Sequence, residues 1–388
     1  MPRKTALMKS RKQTASEDRQ KPSVMIGFLA KVGVSPIPTI TRVFIEGLKD
    51  KYRFAPFFRN RRYGNTEAGS VTFWNVYYMM KHLTLWIAQL VRLGPDIAHY
   101  PLTGGWNLEK CLYFLRIARL FRAKTVAHLH GGAFDEFWEG LSPARKARAN
   151  RLLRSLDAVV VLGDSWREWV SRNTDVSPST ISVVSNPIDL EFEREALQWS
   201  AGGSDRVFFV GSLGTRKGLF DIIEALVLLK ARGQTPPVTM AGPEEQRGAR
   251  AALEGLVAEH GLRHVTVLHP VLGTEKLALF KGNGIFLFPS HKENFPLVVI
   301  ESAAAARAII TTPVGALPEF FQHERSLLYV QPGNSAEIAG AIESLVGDQE
   351  KRRKLGSAAR DVFVTSLTRE RICSSLDHVY RGVLASDA

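Results

Sequence analysis

The stretch GIFLFPSHKENFPLVVIE, from Gly284 to Glu301, joins the pattern of a buried strand to that of a helix start. Its first part, Gly284–Ser290, is short and apolar, as in a strand covered on both faces of a parallel sheet. Pro296 suits the first turn of a helix, where its missing N–H is not needed. The sequence therefore predicts a strand, a loop and a helix in immediate succession, which is the repeating unit of an α/β fold.

The loop and the helix start carry two carboxylates. Glu293 lies in the predicted loop and Glu301 in the second turn of the helix, with seven residues between them. Backbone N–H groups at a helix start have no partner within the helix and attract an anion, while carboxylates accept hydrogen bonds from hydroxyl groups. The pair therefore suits a ligand with phosphate and sugar hydroxyls. Taken alone, both glutamates are equally well explained as acidic residues stabilised by the helix dipole.

The length of 388 residues favours two or three domains, each with a core of its own. Cys111 and Cys373 are far apart and form no Cys-x-x-Cys motif. We therefore expect buried thiols in a reducing compartment, and neither a zinc site nor a redox pair. Residues 1–23 are polar and lack the order of a signal peptide. They predict a disordered basic leader and a cytoplasmic protein.

The basic residues are concentrated in the first half of the chain. Residues 1–23 carry seven Lys or Arg against two Asp or Glu, residues 24–200 carry 23 against 16, and residues 201–388 carry 21 against 20. This distribution predicts attraction to the anionic inner face of the cell membrane. Nucleic acid is the alternative, which we rank below a membrane because no RNA-binding or helix-turn-helix motif accompanies the charge, so no nucleic-acid partner is expected. The basic clusters are Arg59, Arg61 and Arg62; Arg116, Arg119, Arg122 and Lys124; and Arg145, Lys146, Arg148, Arg151 and Arg154.

The segment Val71–Val91 is the longest apolar-looking run. Polar residues interrupt it, so it falls short of a membrane span and predicts an amphipathic helix. Two interpretations remain open, namely a core helix with one solvent-exposed face and a helix that lies on a membrane surface.

Short β-rich runs alternate with helical patterns after residue 23, which is typical of parallel sheets built from βαβ units. The Gly-rich segment 199–205 is the best candidate for a linker between domains at residues 24–198 and 206–365. Ligands bind beyond the carboxyl ends of the strands in such sheets, so two facing Rossmann-like domains would enclose a cleft. The predicted strands are Ser23–Ala30, Asp96–Leu102, Thr125–Gly131, Asp157–Gly163 and Ile181–Pro187, then Arg206–Gly211, Val238–Gly242, His264–Pro270, Gly284–Ser290, Ala308–Val314 and Leu327–Pro332.

The first predicted strand of the second domain leads into VGSLGTRKGLFDIIEAL, Val210–Leu226. This segment reads as a Gly-containing turn followed by an amphipathic helix. Its glycines let the backbone approach an anion, and its two basic residues add positive charge. A strand-to-helix turn with solvated basic residues is the plainer alternative. The chain has no Asp-x-Asp motif, which argues against a carboxylate-bound divalent ion, so protein cations would stabilise a leaving diphosphate. The residues concerned are Gly211, Gly214, Arg216, Lys217 and Gly218.

The run HLHGGAFDEFW, His128–Trp138, lies among the predicted strands of the first domain. A predicted strand ends there at His130, just before two consecutive glycines. This position would place an imidazole at the mouth of the cleft, although a single histidine is more often structural than catalytic. Asp135 and Glu136 would serve as acids on the acceptor side, and a helix-starting role explains them as well.

Together, ENFPLVVIE, the turn that ends Lys217-Gly218, PVGALPE (Pro313–Glu319) and HLHGG resemble glycosyltransferase family 4, the retaining enzymes of the GT-B fold. The likeness covers nearly everything after residue 23. Its strongest part is the glutamate pair with the downstream Gly315 and Pro318-Glu319. HLHGGAFDEFW and LGDSWREW are similar to the subset that builds bacterial exopolysaccharide and lipopolysaccharide. The resemblance implies that the C-terminal helix, within residues 366–388, crosses back to the first domain.

The resemblance also implies roles for single residues. Glu293 would hold hydroxyls of the donor sugar, Glu301 would bind the ribose, Lys217 would meet the diphosphate, and His130 would approach the hexose from the first domain. The reaction would retain the anomeric configuration by a front-face route, with no metal and no cofactor besides the nucleotide-diphosphate sugar. The predicted site comprises His130 and Glu293 as catalytic residues; Gly211, Ser212, Arg216, Lys217, Gly218, Asn294, Phe295, Pro296, Leu297 and Glu301 at the donor; and Gly33, Gly131 and Asp135 on the acceptor side.

Three departures from the family pattern matter. Ser212 stands where the family usually has Arg, which leaves Arg216 as the substitute. The first loop, Lys31–Arg42, has one glycine where the family commonly has two. Ala306 and Ala308 stand where the family usually has Gly and Pro, a change that concerns local packing.

We therefore expect a hexosyltransferase that acts on a lipid-linked or polysaccharide acceptor at the cytoplasmic membrane face, in cell-surface polysaccharide biosynthesis. One alternative is a nucleotide-sugar epimerase of the same fold. Another is a non-catalytic, transferase-like binding protein, which Ser212 suggests.

Overall fold

The computed structural model describes residues 20–29, 36–58 and 73–386. Within these ranges the strands form two six-stranded parallel sheets and alternate with helices along the chain. The chain divides into two compact units. The first consists of the described residues up to Val161, with residues 167–184 and 373–386, and the second of residues 162–166 and 185–372. The predicted α/β class is confirmed.

The first sheet has the strand order β2-β1-β3-β4-β5-β6. The chain adds β2 on one side of β1 and then continues on the other side of β1 with β3, so the strand order reverses between β1 and β3. Its central strand β3 is buried along its whole length, because helices cover both faces of a parallel sheet. The strands are β1 (Ser23–Leu29), β2 (Arg53–Phe58), β3 (Ile97–Leu102), β4 (Lys124–Leu129), β5 (Ala158–Val161) and β6 (Ile181–Val183).

Strand β2 is absent from the sequence-based prediction. It lies at the edge of the sheet and pairs with β1 alone. Pro56 stands in its middle, and only Phe57 among its six residues is buried. A proline is tolerated in an edge strand because one side makes no ladder hydrogen bonds, so the usual pattern of a buried strand does not appear here.

The second sheet has the order β12-β11-β10-β7-β8-β9. Counted from its own first strand, this is the 3-2-1-4-5-6 order of a doubly wound dinucleotide-binding sheet. Phenylalanine rings fill its centre, where the ring centroid of Phe286 lies 5.1 Å from that of Phe208 and 6.0 Å from that of Phe288. The strands are β7 (Val207–Val210), β8 (Val238–Ala241), β9 (Val265–Leu268), β10 (Ile285–Phe288), β11 (Ala308–Thr311) and β12 (Leu328–Tyr329).

The helices pack against these sheets through their apolar sides. No helix in the described ranges combines the length and the apolar character that a membrane crossing needs. In chain order they are α1 (Pro36–Leu48), α2 (Phe73–Leu93), α3 (Trp106–Leu120), α4 (Phe134–Glu139), α5 (Pro143–Leu153), α6 (Asp164–Asn173), α7 (Leu190–Ala196), α8 (Leu219–Ala231), α9 (Ala249–Glu259), α10 (Gly273–Gly282), α11 (Leu297–Ala304), α12 (Leu317–Phe320), α13 (Ser335–Leu345), α14 (Gln349–Val362) and α15 (Arg369–Ala385).

The C-terminal helix α15 contributes to the first unit from Cys373 onward. Its Tyr380 is fully buried there, and the side chain of Cys373 packs so closely on α1 that a Cβ at Gly47 would lie 2.4 Å from the sulfur. Both cysteines, Cys111 and Cys373, are buried and form no disulfide, as predicted.

Candidate active site

The second sheet places two loops side by side at the point where its strand order reverses. β7 and β10 are hydrogen-bonded neighbours, and the chain continues from them toward opposite edges of the sheet. Residues 211–218 follow β7, and residues 289–296 follow β10. Ligands of doubly wound sheets bind at this point, beyond the carboxyl ends of the strands. The structure therefore brings the predicted cationic turn next to the predicted acidic loop.

The turn after β7 is held against the loop after β10 by close backbone packing. Thr215–Lys217 form a 3-10 turn that ends at Gly218, whose φ is +72°. A Cβ at Gly218 would lie 2.1 Å from the carbonyl oxygen of Pro289, so this approach requires glycine. The carbonyl oxygen of Arg216 accepts hydrogen bonds from the N–H of His291 at 2.9 Å and from the Ser290 hydroxyl at 3.1 Å.

Glu293 and the two cations of the turn form one ion-pair network. Oε1 of Glu293 contacts the Lys217 ammonium and lies 3.3 Å from the Arg216 guanidinium. The same oxygen accepts a hydrogen bond from the Ser290 hydroxyl at 2.9 Å. Arg216 is also paired at 2.8 Å with Glu245, in the loop after β8. Burial lowers the pKa of Lys217, and the adjacent Glu293 acts in the opposite direction. A diphosphate bound here would give both cations phosphate oxygens in place of carboxylate oxygens.

Glu301 lies on α11 and is 4% exposed. Lys276 of α10 donates a hydrogen bond to its Oε1 at 2.5 Å, while Oε2 has no hydrogen-bond partner in the part of the chain that the structure describes. The ammonium also lies 5.5 Å from the ring centroid of Phe192 and 5.9 Å from that of Phe280. Burial raises the pKa of the Glu301 carboxyl, and Lys276 opposes that rise.

Lys276 is not among the residues that the sequence predicts for this site. It lies 25 positions before Glu301 on a different helix. A local motif contains no signal for such a contact, which depends on how α10 and α11 pack. An amphipathic helix with one lysine near its start would by itself indicate only a solvated surface.

The helix after the acidic loop starts at Leu297, and Pro296 lies just before it with φ −73° and ψ +120°. Pro296 therefore lies just before the first turn rather than in it, because its ψ angle is extended. The φ angle fits the proline ring in either position.

The backbone of Asn294 and Phe295 is fixed by hydrogen bonds to its carbonyl groups. Asn294 O accepts from the N–H of Ala316 at 2.8 Å, and Phe295 O accepts from the side-chain amide of Asn186 at 3.0 Å. Gly315 has φ of +56°, and a Cβ there would lie 1.8 Å from Asn294 O. The glycine of PVGALPE is thus needed for the approach of this segment to the acidic loop.

The predicted residues of the first unit lie after β4. His130 is half-buried, and its ring centroid lies 4.1 Å from that of His128. Gly131 follows it, and Asp135 stands in the first turn of α4 together with Glu136. The observed position of these two acids is therefore the helix-starting one. Gly33 lies outside the described residues.

Two family models match the chain in succession. A model described as Glycosyltransferase Family 4 matches residues 47–192, and a model described as Glycosyl transferases group 1 matches residues 192–362.

Curated relatives are similar at low identity. The chain is 25% identical to a glycogen synthase of Mycobacterium tuberculosis over 258 residues, which cover 66% of the chain and 61% of that protein. It is 25% identical to a D-inositol 3-phosphate glycosyltransferase of Corynebacterium glutamicum over 306 residues, which cover 75% and 72%. The match thus spans about three fifths of the length of the glycogen synthase.

Solved structures share the fold. Sucrose-phosphate synthase from Thermosynechococcus elongatus superposes with a TM-score of 0.75 at 19% identity, over 95% of the chain and all of that protein. HepE from Anabaena, in complex with UDP and glucose, gives a TM-score of 0.70 at 15% identity, over 93% and 100%. With the two parallel sheets and the two consecutive family matches, these similarities show that the chain belongs to glycosyltransferase family 4 and has the GT-B fold.

Proposed function

We propose that the chain is a retaining, metal-independent hexosyltransferase that uses a nucleotide-diphosphate sugar and a lipid-linked or polysaccharide acceptor. The observation that carries the donor part is the network of Lys217, Arg216 and Glu293 at the strand-order reversal of the second sheet. It combines two cations for a diphosphate with a carboxylate for hydroxyl groups, in loops that strand ends and glycines hold together. The solved complex of HepE with UDP and glucose supports a donor of this class.

Each residue has a definite task in this proposal. Lys217 and Arg216 bind the diphosphate and stabilise the negative charge that develops on it as it leaves. Glu293 accepts hydrogen bonds from hydroxyls of the hexose, and Glu301 accepts them from the ribose. His130 contributes a ring nitrogen to a hydroxyl of the hexose. The bond from the anomeric carbon to the diphosphate breaks, a bond to the acceptor oxygen forms on the same face, and the acceptor proton passes to the leaving phosphate.

The absence of a metal from the proposal rests on the protein cations. Lys217 is mostly buried and lies beside Arg216, so the site already holds two positive charges at the predicted diphosphate position. Such preorganised cations can stabilise the negative charge on a leaving diphosphate in place of a divalent ion. We expect turnover to persist in the presence of EDTA, and a requirement for added Mg²⁺ or Mn²⁺ would contradict this part of the proposal.

The acceptor and the membrane location are supported by charge and by exposed apolar side chains in the first unit. Tyr113 and Leu120 of α3 are 40% and 78% exposed, and the intervening Arg116 is exposed as well. Aromatic, aliphatic and basic side chains on one helix face suit the interface of an anionic membrane. We propose that the protein acts at the cytoplasmic face of the membrane, in the synthesis of a cell-surface polysaccharide.

The donor can be identified by thermal shift with UDP-, GDP- and ADP-hexoses. A ligand at about 100 times its dissociation constant stabilises the native state by about 2.7 kcal/mol. We expect one nucleotide to raise the unfolding temperature clearly above the others, and its hexose to be consumed when an acceptor is present. Consumption of the donor into an isomeric sugar without acceptor would support the epimerase alternative instead.

The variant Glu293→Gln tests the role of the acidic loop. A hydrogen bond to a charged group contributes about 1.5–3 kcal/mol, so turnover should fall about 10- to 100-fold. Glu245→Gln is the matched control, because Glu245 also pairs with Arg216 but lies on another strand end. We expect it to keep turnover within about threefold. Donor binding without turnover, identical in the wild type and in Glu293→Gln, would support the non-catalytic alternative.

A further inference from the structure

Three histidine rings lie in a row inside the first unit. The ring centroids of His99 and His128 are 5.4 Å apart and nearly parallel, and those of His128 and His130 are 4.1 Å apart. His99 lies on β3, His128 lies on the neighbouring β4, and His130 follows β4. His99 and His128 are 3% and 1% exposed. The row therefore runs from the interior of the sheet to the half-buried ring that the proposed function assigns to the hexose.

The inner end of the row is attached to the C-terminal helix. Nδ1 of His99 lies 2.6 Å from the hydroxyl of Tyr380, which is fully buried on α15. The ring of Tyr52 packs edge-on against that of Tyr380, with centroids 5.2 Å apart, and its hydroxyl donates to Asp377 Oδ1 at 2.9 Å. We call the rings of Tyr380, His99, His128 and His130 the ring column.

The protonation of the column follows from its burial. Burial lowers the pKa of His99 to about 3 and holds the pKa of His128 well below its usual range. Burial also raises the pKa of Tyr380 well above its usual range. Near neutral pH both imidazoles are therefore neutral and the phenol keeps its proton. The Tyr380 hydroxyl has no second hydrogen-bond partner among the described residues, so we infer that it donates to Nδ1 of His99 and that the ring proton of His99 is on Nε2.

We propose that Tyr380 and His99 are positioning residues for His130, whose ring they hold in one orientation through His128. The proposal rests on the proposed function for the role of His130 alone. The neutral rings of His99 and His128 stack without charge repulsion, and these buried rings cannot turn independently of their neighbours. A hydrogen bond at the inner end of the row thus restricts the ring at its outer end.

Side-chain NMR tests the ring column without any ligand. Two-bond ¹H–¹⁵N spectra of the full chain, assigned with His99→Asn, His128→Asn and His130→Ala, report the tautomer of each ring. We expect His99 to be the Nε2–H tautomer and not to titrate between about pH 5 and 8. The variant Tyr380→Phe should shift the signals of both His99 and His130. The Nδ1–H tautomer at His99, titration in that range, or unshifted His130 signals would overturn the proposal.

Tyr52→Phe is the matched control, because Tyr52 and Tyr380 pack on one another while their hydroxyls bind different partners. It removes the bond to Asp377 and leaves the bond to His99 intact. We expect the His99 and His130 signals to stay unchanged in this variant. Equal shifts in the two variants would show a general loss of packing and would contradict a specific role of Tyr380.

Kinetics with the nucleotide sugar chosen by the thermal-shift screen connect the column to the reaction. Tyr380→Phe should lower kcat about tenfold and leave the KM for the donor within about twofold, because misplacement of a contacting group affects mainly the transition state. Tyr52→Phe should keep kcat. Unchanged turnover in His130→Ala or in Tyr380→Phe would overturn the proposal. A wild-type chain that turns over no nucleotide sugar would contradict the proposed function, and the spectra would still decide whether the column holds His130.

Discussion

At the residue scale, the pair of Lys276 and Glu301 sets the charge of the proposed ribose contact. Burial raises the pKa of the Glu301 carboxyl, and the neighbouring ammonium opposes this rise. A buried carboxylate that loses its cationic partner tends to take up a proton, because the ionised form is poorly solvated. Lys276 therefore favours the ionised form of Glu301, which is the form that accepts hydrogen bonds at both oxygens.

The variant Lys276→Met should weaken binding of the nucleotide sugar about tenfold at neutral pH. In the wild type we expect affinity to fall as the pH drops through the raised pKa of Glu301. Without the ammonium this pKa rises further, so the loss of affinity should begin at a higher pH. Isothermal titration calorimetry from about pH 5 to 9 measures both curves.

Two controls separate this effect from a loss of packing. Lys281→Met changes an exposed lysine at the end of the same helix, α10, and should leave the curve unchanged. Glu301→Gln cannot ionise, so the pH dependence should disappear in that variant with or without Lys276. A uniform loss of affinity at every pH in Lys276→Met would rule out control of the Glu301 charge.

The sequence predicts those residues of the candidate site whose placement depends on near neighbours. Glu293, Glu301, Lys217 and Gly218 stand in short segments where a strand end, a glycine and a helix start have recognisable patterns. Lys276 contacts Glu301 only because α10 and α11 pack together. His99 and Tyr380, which continue the row of rings beyond His128, likewise come from distant parts of the chain, so the sequence does not reveal them.

At the scale of elements, the strand and helix order could be predicted because a parallel sheet buries short apolar runs between amphipathic helices. The predicted strands extend further into the loops than the observed ones, as in Ile181–Pro187 against Ile181–Val183. Apolar residues continue past the last ladder hydrogen bond, since the loops at the carboxyl ends are also packed. Edge strand β2 is not predicted, because too few of its side chains are buried to give an apolar run.

The turn between β7 and α8 depends on Gly218. Its φ is +72°, and an added Cβ would meet the carbonyl of Pro289 at 2.1 Å. Gly218→Ala should therefore combine backbone strain of about 1–2 kcal/mol with an overpacking cost of about 1–3 kcal/mol. Because the turn must shift away from residues 289–296, donor binding should also be lost. Urea unfolding and donor titration measure the two effects.

Gly233→Ala is the matched control for this turn. Gly233 has φ of +78°, and an added Cβ there meets no atom within 4 Å. It should show the backbone strain of about 1–2 kcal/mol without the steric term, and donor binding should remain. Equal losses of stability in the two variants, with donor binding retained in both, would show that the contact with Pro289 does not shape the site.

At the scale of the whole molecule, positive charge is divided unequally between the two halves of the chain. The net charge of +13 comes almost entirely from residues 1–200, whereas residues 201–388 are close to neutral. The motifs to which the proposed function assigns the nucleotide sugar lie in the nearly neutral half, so the proposal gives the excess charge no role in holding the donor. Uneven charge of this kind acts on large anionic partners, whose attraction is summed over many residues.

Anionic vesicles test this division of charge. Each basic residue near such a surface contributes about 1 kcal/mol, so Arg116→Gln, Arg148→Gln and Arg151→Gln together should weaken binding about 100-fold. These arginines are exposed on α3 and α5, which pack on one another. The matched control replaces exposed Arg263, Lys281 and Arg325 of the second unit by Gln and should change binding little.

Sedimentation with phosphatidylglycerol vesicles, with and without added salt, measures the difference, since exposed charges are screened within about 10 Å at 0.1 M salt. Equal losses in the two triple variants, or equal binding to neutral phosphatidylcholine vesicles, would contradict a membrane-facing first unit, and tighter binding to RNA than to vesicles would favour nucleic acid as the partner.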